Sequence, residues 1–144
     1  MKKIYFDIAA TTPVNPKVAT LVSNIMTQTF GNPSSIHKFG QESHSVIERA
    51  RLQLANALNC EPGEIIFTGG GSESNNLVLQ GILQSGDHII TSAYEHPAIL
   101  NVVEALELKG IQSTLINPNK NGAVNCNDII SAIQPNTKMI SIMA

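Results

Sequence analysis

The first stretch with the residue types of a binding site is a glycine-rich turn, residues 67–76, which reads FTGGGSESNN. It follows a short apolar run at 64–67 and precedes a segment at 77–83 whose apolar residues recur at helical spacing. A strand, a glycine-rich turn and a helix in this order predict an anion site. Glycines let the backbone approach a ligand, and the helix N-terminus offers unpaired N–H groups. Ser72 is predicted at the cap position, where its hydroxyl can bond a backbone N–H or a phosphate oxygen.

The kind of anion follows from what the turn lacks. No lysine follows the glycines, so the turn is not the GxxxxGKS/T phosphate loop. A monophosphate therefore fits better than a triphosphate with magnesium. The alternative is a glycine-rich connection that caps a helix and binds nothing, and the turn alone leaves both interpretations open.

His96 is the second candidate for chemistry. Residues 87–92, DHIITS, predict a strand, and Pro97 begins a predicted helix that has Gly110 as its stop. His96 is thus expected at the carboxyl end of a strand, where ligands bind in open α/β sheets, and its imidazole can exchange protons near neutral pH. The alternative is a histidine that only caps the helix. If the strands at 64–67 and 87–92 are parallel, Ser72 and His96 face one crevice.

A polar loop at 31–40, GNPSSIHKFG, is the third candidate. Its glycines, proline, asparagine and serines are typical of a loop, and loops held between helices often carry binding residues. For His37 the alternative is a structural or surface histidine. The groups that can reach a polar ligand are Asn32, Ser34, Ser35 and His37.

Helices and strands alternate around these residues. Asn15 and Pro16 predict a helix start, and a second helix is predicted at 41–58 with Arg51 facing water. Further strands are predicted at 113–117 and from 138, with a helix at about 128–134. Four strands alternating with helices predict an α/β fold with a mostly parallel sheet covered on both faces. The apolar stripes predicted to face the core are Val18, Leu21, Val22, Ile25 and Met26 in the first helix and Val46, Ile47, Ala50, Leu54 and Leu58 in the second.

Composition and charge narrow the functional class. The 144 residues carry a net charge of −2, which indicates no basic surface for nucleic acid. The first residues lack the pattern of a signal peptide, and no apolar stretch is long enough to span a bilayer. Cys60 and Cys126 suggest neither a disulfide framework nor a metal site, so a cytoplasmic protein is predicted. The apolar run 138–144 ends without a turn, from which we expect the N-terminal part of a longer protein.

Four blocks, taken together, resemble a known family. They are DIAATTP from Asp7, GNPSSIHKFG from Gly31, FTGGGSESNN from Phe67 and the Glu95–His96 pair after a strand. Their order and spacing are similar to those in the N-terminal part of cysteine desulfurases, pyridoxal 5′-phosphate enzymes of the class V aminotransferase family.

The resemblance implies fold type I of pyridoxal-phosphate enzymes. Residues 1–14 would be an arm of the small domain, and 15–144 would be the N-terminal part of the large cofactor-binding domain. Gly71 and Ser72 match the positions that hold the cofactor phosphate, although the family usually has Thr in place of Ser72. His96 matches the histidine that stacks on the pyridine ring and moves protons. Asn32 and His37 match a loop near the active-site entrance, with no firm role.

The implied reaction removes sulfur from L-cysteine, giving L-alanine and an enzyme persulfide that serves iron–sulfur scaffolds or other acceptor proteins. A homodimer is also implied. The family's Schiff-base lysine, its aspartate under the pyridine nitrogen and its nucleophilic cysteine lie beyond the matched positions, so these 144 residues alone are expected to be inactive. The alternatives are another fold type I enzyme, a lyase or an aminotransferase, and a non-catalytic module.

Overall fold

The computed structural model describes residues 4–143, which form two compact units that divide between Ile66 and Phe67. The first unit contains helices α1 (Pro16–Gln28) and α2 (Lys38–Leu58) and a 3-10 turn at Pro62–Glu64. The predicted division into an arm at 1–14 and a domain at 15–144 stays a prediction. The second unit contains, in chain order, α3 (Gly71–Ile82), β1 (His88–Ser92), α4 (Pro97–Glu107), β2 (Gln112–Ile116), α5 (Cys126–Ala132) and β3 (Thr137–Ser141).

The sheet of the second unit is parallel, with the strand order β2-β1-β3. His88 pairs with Gln112 on one side and Thr137 on the other, and the register with β3 shifts between His88 and Ile89. All five residues of β1 are buried. The helical connections between these strands give the parallel order that the alternation of elements predicted, so the α/β prediction is confirmed.

The apolar core lies in the second unit. It joins α3 and α4 to β1, and the partly buried Val102 and Met139 pack against it. Its residues recur three or four apart on each helix, as a face turned to a sheet requires. In residues 4–143, no helix combines the length and the apolar composition that crossing a bilayer requires. The buried members of this core are Leu79, Leu83, Ile89, Ile99, Val103, Leu106 and Ile111.

The strand predicted at 64–67 does not form. Residues 65–68 are irregular, and Ile66 is 69% exposed. The Arg51 guanidinium, predicted to face water, is half-buried and donates to the carbonyl of Ile65 and to Glu48 at 3.1 Å. A strand requires a neighbouring backbone for its ladder, whereas here a side chain bonds this carbonyl. The described sheet therefore has three strands and not four.

The apolar stripes predicted as core are largely exposed. In α1 only Ile25 of the five is half-buried, and α1 has no buried residue. In α2 the buried residues are Gly40, Ser43 and Ala55, while Ile47, Leu54 and Leu58 are exposed.

The helix boundaries are closer to the predicted ones, because they depend on neighbouring residues. The Asn15 side chain caps α1 through the Lys17 N–H at 2.9 Å, and α2 begins at Lys38, three residues earlier than predicted.

Candidate functional site

The glycine-rich turn ends in a helix N-terminus that no side chain caps. The cap residue of α3 is Gly70, with extended backbone angles of φ 163° and ψ 175°. The first bond of the helical ladder runs from the Ser74 N–H to the Gly70 carbonyl, at 3.1 Å. The N–H groups of Gly71, Ser72 and Glu73 therefore precede the ladder and have no acceptor four residues back in the helix.

Ser72 is the second residue of α3, so its prediction as the cap residue is wrong. Gly70 takes the extended cap conformation itself, and the helix starts directly after it. The Ser72 side chain is exposed and stands in the first turn, beside the unpaired N–H groups. The hydroxyl is therefore available to a ligand at the helix end instead of being used for capping.

The backbone before α3 is held by its own side chains. The Gly69 N–H donates to Glu73 Oε2 at 2.6 Å, and the hydroxyls of Thr68 and Ser74 lie 2.7 Å apart. A Cβ atom built on Gly71 would meet nothing within 4 Å, as would one on Gly70. The space beside these two glycines is therefore open. The N–H groups that precede the helical ladder, together with the Ser72 hydroxyl, fit a phosphate group.

His96 occupies the cap position of α4. Its Nδ1 accepts from the Ala98 N–H at 3.0 Å, which is the geometry of a helix-capping histidine. An accepting Nδ1 assigns the proton of the neutral imidazole to Nε2. The side chain is exposed, so Nε2 is the nitrogen that can exchange a proton with a ligand. A role in proton transfer stays a prediction.

Helices α3 and α4 bring these two sites to the same end of the second unit. The segments after the helices meet, since the Gly86 N–H donates to the Gly110 carbonyl at 2.9 Å. Residues of both helices, including Asn76 and Asn101, line one groove between them. Helices that pack side by side with adjoining carboxyl ends run in the same direction, so their N-termini also lie at one end. Ser72 and His96 stand at these two N-termini.

Asn32 and His37 lie in the first unit and make local contacts. Asn32 Oδ1 accepts from the Ser34 N–H at 2.9 Å, and His37 Nδ1 accepts from the Gly40 N–H at 3.4 Å. His37 is the cap residue of α2, which agrees with the structural alternative for this histidine. Both side chains are exposed, and their roles toward a ligand stay predictions.

Sequence reasoning did not assign a role to Glu95, which is 7% exposed. Its Oε1 accepts from Ser92 Oγ at 2.8 Å and from the Met143 N–H at 2.6 Å. The only local indication is that a carboxylate directly precedes the capping His96. Its second partner is 48 residues away in the sequence, so no nearby pattern could have revealed it.

His88 was also missed. It is fully buried at the start of β1, with Nδ1 2.8 Å from Thr137 Oγ1 and Nε2 2.9 Å from Thr114 Oγ1. The ring therefore bridges all three strands. Burial lowers the pKa of His88 from its ordinary value of 6.5, because the charged form loses its hydration. A histidine directly before the two isoleucines of the strand predicted at 87–92 is the sequence feature that could have indicated it.

Comparison with known proteins identifies the family to which the chain belongs. A curated relative, the cysteine desulfurase IscS of Photorhabdus laumondii, is 42% identical over 147 aligned positions, covering 97% of this chain and 36% of that protein. A solved structure described as a NifS-like protein has a TM-score of 0.92 at 31% identity, covering 99% of this chain and 40% of that one. A structure of SspA in complex with cysteine has a TM-score of 0.87 at 36% identity, covering 96% and 41%.

These findings confirm the resemblance on which the fold type was predicted. The structural neighbours have the type I fold, and the described α/β unit is consistent with part of its large domain. The chain spans about a third of the length of the curated relative. Proteins of this class depend on pyridoxal 5′-phosphate. Residues 4–144 match the aminotransferase class-V family, and the chain belongs to that family.

Proposed function

We propose that this chain supplies the phosphate-binding turn and a ring-stacking histidine of a pyridoxal-phosphate-dependent cysteine desulfurase. The observation that carries the proposal is the shared end of α3 and α4. Unpaired N–H groups, a free hydroxyl and an imidazole stand there at the N-termini of two packed helices. Because the chain spans 36% of the IscS relative, the activity is proposed for the complete protein that contains it.

The α3 N-terminus would hold the phosphate. The N–H groups of Gly71 and Ser72 and the Ser72 hydroxyl supply donors, and the positive end of the helix dipole adds about 0.3–1 kcal/mol for an anion. Each hydrogen bond to a charged group contributes about 1.5–3 kcal/mol. Glu73 carries a negative charge in the same turn, but its Oε2 is already bonded to the Gly69 N–H.

His96 would cover one face of the pyridine ring and move a proton at Nε2. The cofactor, when bound, supplies an electron sink for bond cleavage at the substrate. The imidazole is oriented by its Nδ1 contact with the Ala98 N–H, so the ring keeps one defined edge for proton transfer. Fixed orientation of the transferring group is what general acid–base catalysis requires.

The proposed substrate is L-cysteine, and the products are L-alanine and sulfur passed to an acceptor protein, such as an iron–sulfur scaffold. Support comes from likeness to SspA, whose structure holds cysteine, and to relatives named cysteine desulfurase. Asn32 and His37 are proposed for the substrate-side loop. A cytoplasmic homodimer completes the proposal, and the two cysteines of the described residues, Cys60 and Cys126, are free thiols, as in a reducing compartment.

The phosphate role is tested by replacing Ser72 in the complete protein. Ser72→Ala should weaken cofactor affinity about tenfold, because one hydroxyl donor to a charged group is lost. Ser72→Thr is the matched control, since it keeps the hydroxyl, and its affinity should stay near that of the wild type. The measurement is the cofactor retained after dialysis, followed by absorbance. Equal retention in all three proteins would remove Ser72 from the phosphate site.

The role of His96 is tested by separating capping from proton transfer. His96→Asn keeps a good cap residue and removes the imidazole, so the cofactor should stay bound while L-alanine formation falls about 100-fold. A normal rate in this variant would exclude His96 from the reaction. A wild-type protein that binds the cofactor but forms no L-alanine from L-cysteine would instead indicate another class V activity.

A further inference from the structure

Glu95 is a buried carboxylate in the connection between β1 and α4, residues 93–96. It is 7% exposed, and its Oε1 receives two hydrogen bonds, from Ser92 Oγ and from the Met143 N–H. Burying a carboxylate is costly unless donors satisfy it. A carboxylate at this position calls for a reason beyond stability, because an apolar side chain would avoid that cost.

The two partners of Oε1 tie the connection to β3 as well as to β1. Met143 lies two residues after the end of β3, so its bond joins the segment that leaves this strand to the residue before His96. On the other side, the Ala93 N–H donates to the carbonyl of Ile116, the last residue of β2, at 2.9 Å. The connection that carries His96 is therefore held between the ends of both outer strands.

We infer that Glu95 is a positioning residue for His96, an inference that rests on the proposed role of His96. The bond from Ala98 fixes the imidazole relative to α4, but its position relative to the strands depends on the connection itself. Glu95 Oε1 fixes that connection through a bond of 2.6 Å to Met143. Loss of this oxygen should move Nε2 of His96 relative to a ligand held at α3, while leaving the α3 donors intact.

Three substitutions of Glu95 in the complete protein distinguish the effect of the oxygen's position from the effect of the negative charge. Glu95→Gln keeps an oxygen at the same distance from the backbone, so its kcat should stay within about threefold of the wild type. Glu95→Asp keeps the charge but is one methylene shorter, and Glu95→Ala removes the group. Both should lower kcat about tenfold or more while the cofactor stays bound, because the imidazole is displaced and the α3 donors to the phosphate stay intact. If Glu95→Ala does not fold, Glu95→Asp still tests the inference.

Thr91→Val is the matched control for a merely structural contact. Thr91 Oγ1 donates to the Ser141 carbonyl at 2.8 Å, so it also ties β1 to the carboxyl end of β3. This tie does not involve the connection that carries His96. The variant should lose a comparable hydrogen bond and keep a normal kcat. A loss of kcat equal to that of Glu95→Asp would overturn the inference.

A double-mutant cycle with His96→Asn gives the decisive comparison. If Glu95 acts through His96, Glu95→Asp should lower kcat in the wild-type background and change it less than about twofold in the His96→Asn background. Independent losses of kcat that multiply in the double variant would overturn the inference.

Amide hydrogen exchange at Met143 is the second readout and needs no activity. Glu95→Asp should speed this exchange about tenfold or more, and Glu95→Gln should not. Unchanged exchange would likewise overturn the inference.

The same set of variants distinguishes the failure of the two proposals. A normal rate in His96→Asn removes the proposed role of His96, whatever Glu95 does. A slow His96→Asn combined with a normal Glu95→Asp removes only the positioning role of Glu95. If the complete protein forms no L-alanine, exchange at Met143 still reports whether the Glu95 bond exists.

Discussion

The two compact units of the chain are stabilised in different ways. In Phe67–Ala144, apolar side chains of α3, α4 and β1 form one buried cluster. In Met1–Ile66, α1 has no buried residue, and α2 buries only Gly40, Ser43 and Ala55. The second unit therefore depends on removing apolar surface from water, whereas the first depends on close backbone packing and local hydrogen bonds.

Polar contacts within the first unit illustrate this difference. Ser43 Oγ donates to the Thr29 carbonyl at 3.0 Å, and the Arg51 guanidinium donates to the Ile65 carbonyl. By contrast, Leu21 and Met26 of the α1 stripe are 57% and 73% exposed. An amphipathic pattern thus predicts which face of a helix favours burial. It does not predict that this face is buried within the same unit.

The largest expected effect is a cavity in the core of the second unit. Leu79→Ala should cost about 2–5 kcal/mol, since Leu79 is 1% exposed in the central cluster. Leu77→Ala, on the exposed side of the same helix, is the control and should cost about 0.5 kcal/mol or less. Amide hydrogen exchange of the β1 residues measures the loss of stability in both variants. Equal exchange in the two variants would contradict the assignment of stability to this core.

A smaller effect should follow from adding one methyl group to the first unit. A Cβ on Gly40 would clash with the Ser35 carbonyl oxygen and lie 2.7 Å from that of Asn32, so Gly40→Ala should cost about 1–3 kcal/mol. Gly63→Ala meets nothing within 4 Å and is the control. Faster amide exchange at the start of α2 in the first variant alone is the expected result. If both variants behave alike, backbone packing does not stabilise this loop.

The smallest effect concerns pH and the polar bridge in the second unit. The pKa of His88 is lower in the folded state than its ordinary value of 6.5, so the unfolded state binds the proton more readily. This contribution to stability is complete above pH 6.5 and is lost as the pH falls toward the folded pKa. His88→Asn should make β1 amide protection less dependent on pH between about 7 and 5. Identical pH slopes for variant and wild type would contradict this.

Local chemistry explains which predictions were accurate. Asn15, Pro16 and Pro97 set helix starts through contacts within two or three residues, and β1 was predicted to within one residue of its start. The errors involve distant partners. Residues 64–67 have the composition of a strand but do not form one, and Ser72 entered the helix because Gly70 took the cap position. The candidate site was thus predicted by its residue types and only partly by their geometry.

Local sequence was enough to predict most of the order of helices and strands, the glycine turn with its available donors, and the histidine at the start of α4. These features arise from groups a few residues apart, whose geometry the chain restricts directly. The common end of the α3 and α4 N-termini and the bond from the Met143 N–H to Glu95 arise only when the whole unit folds. Such contacts join groups tens of residues apart, and folding selects them through the packing of the whole unit, which no local pattern encodes.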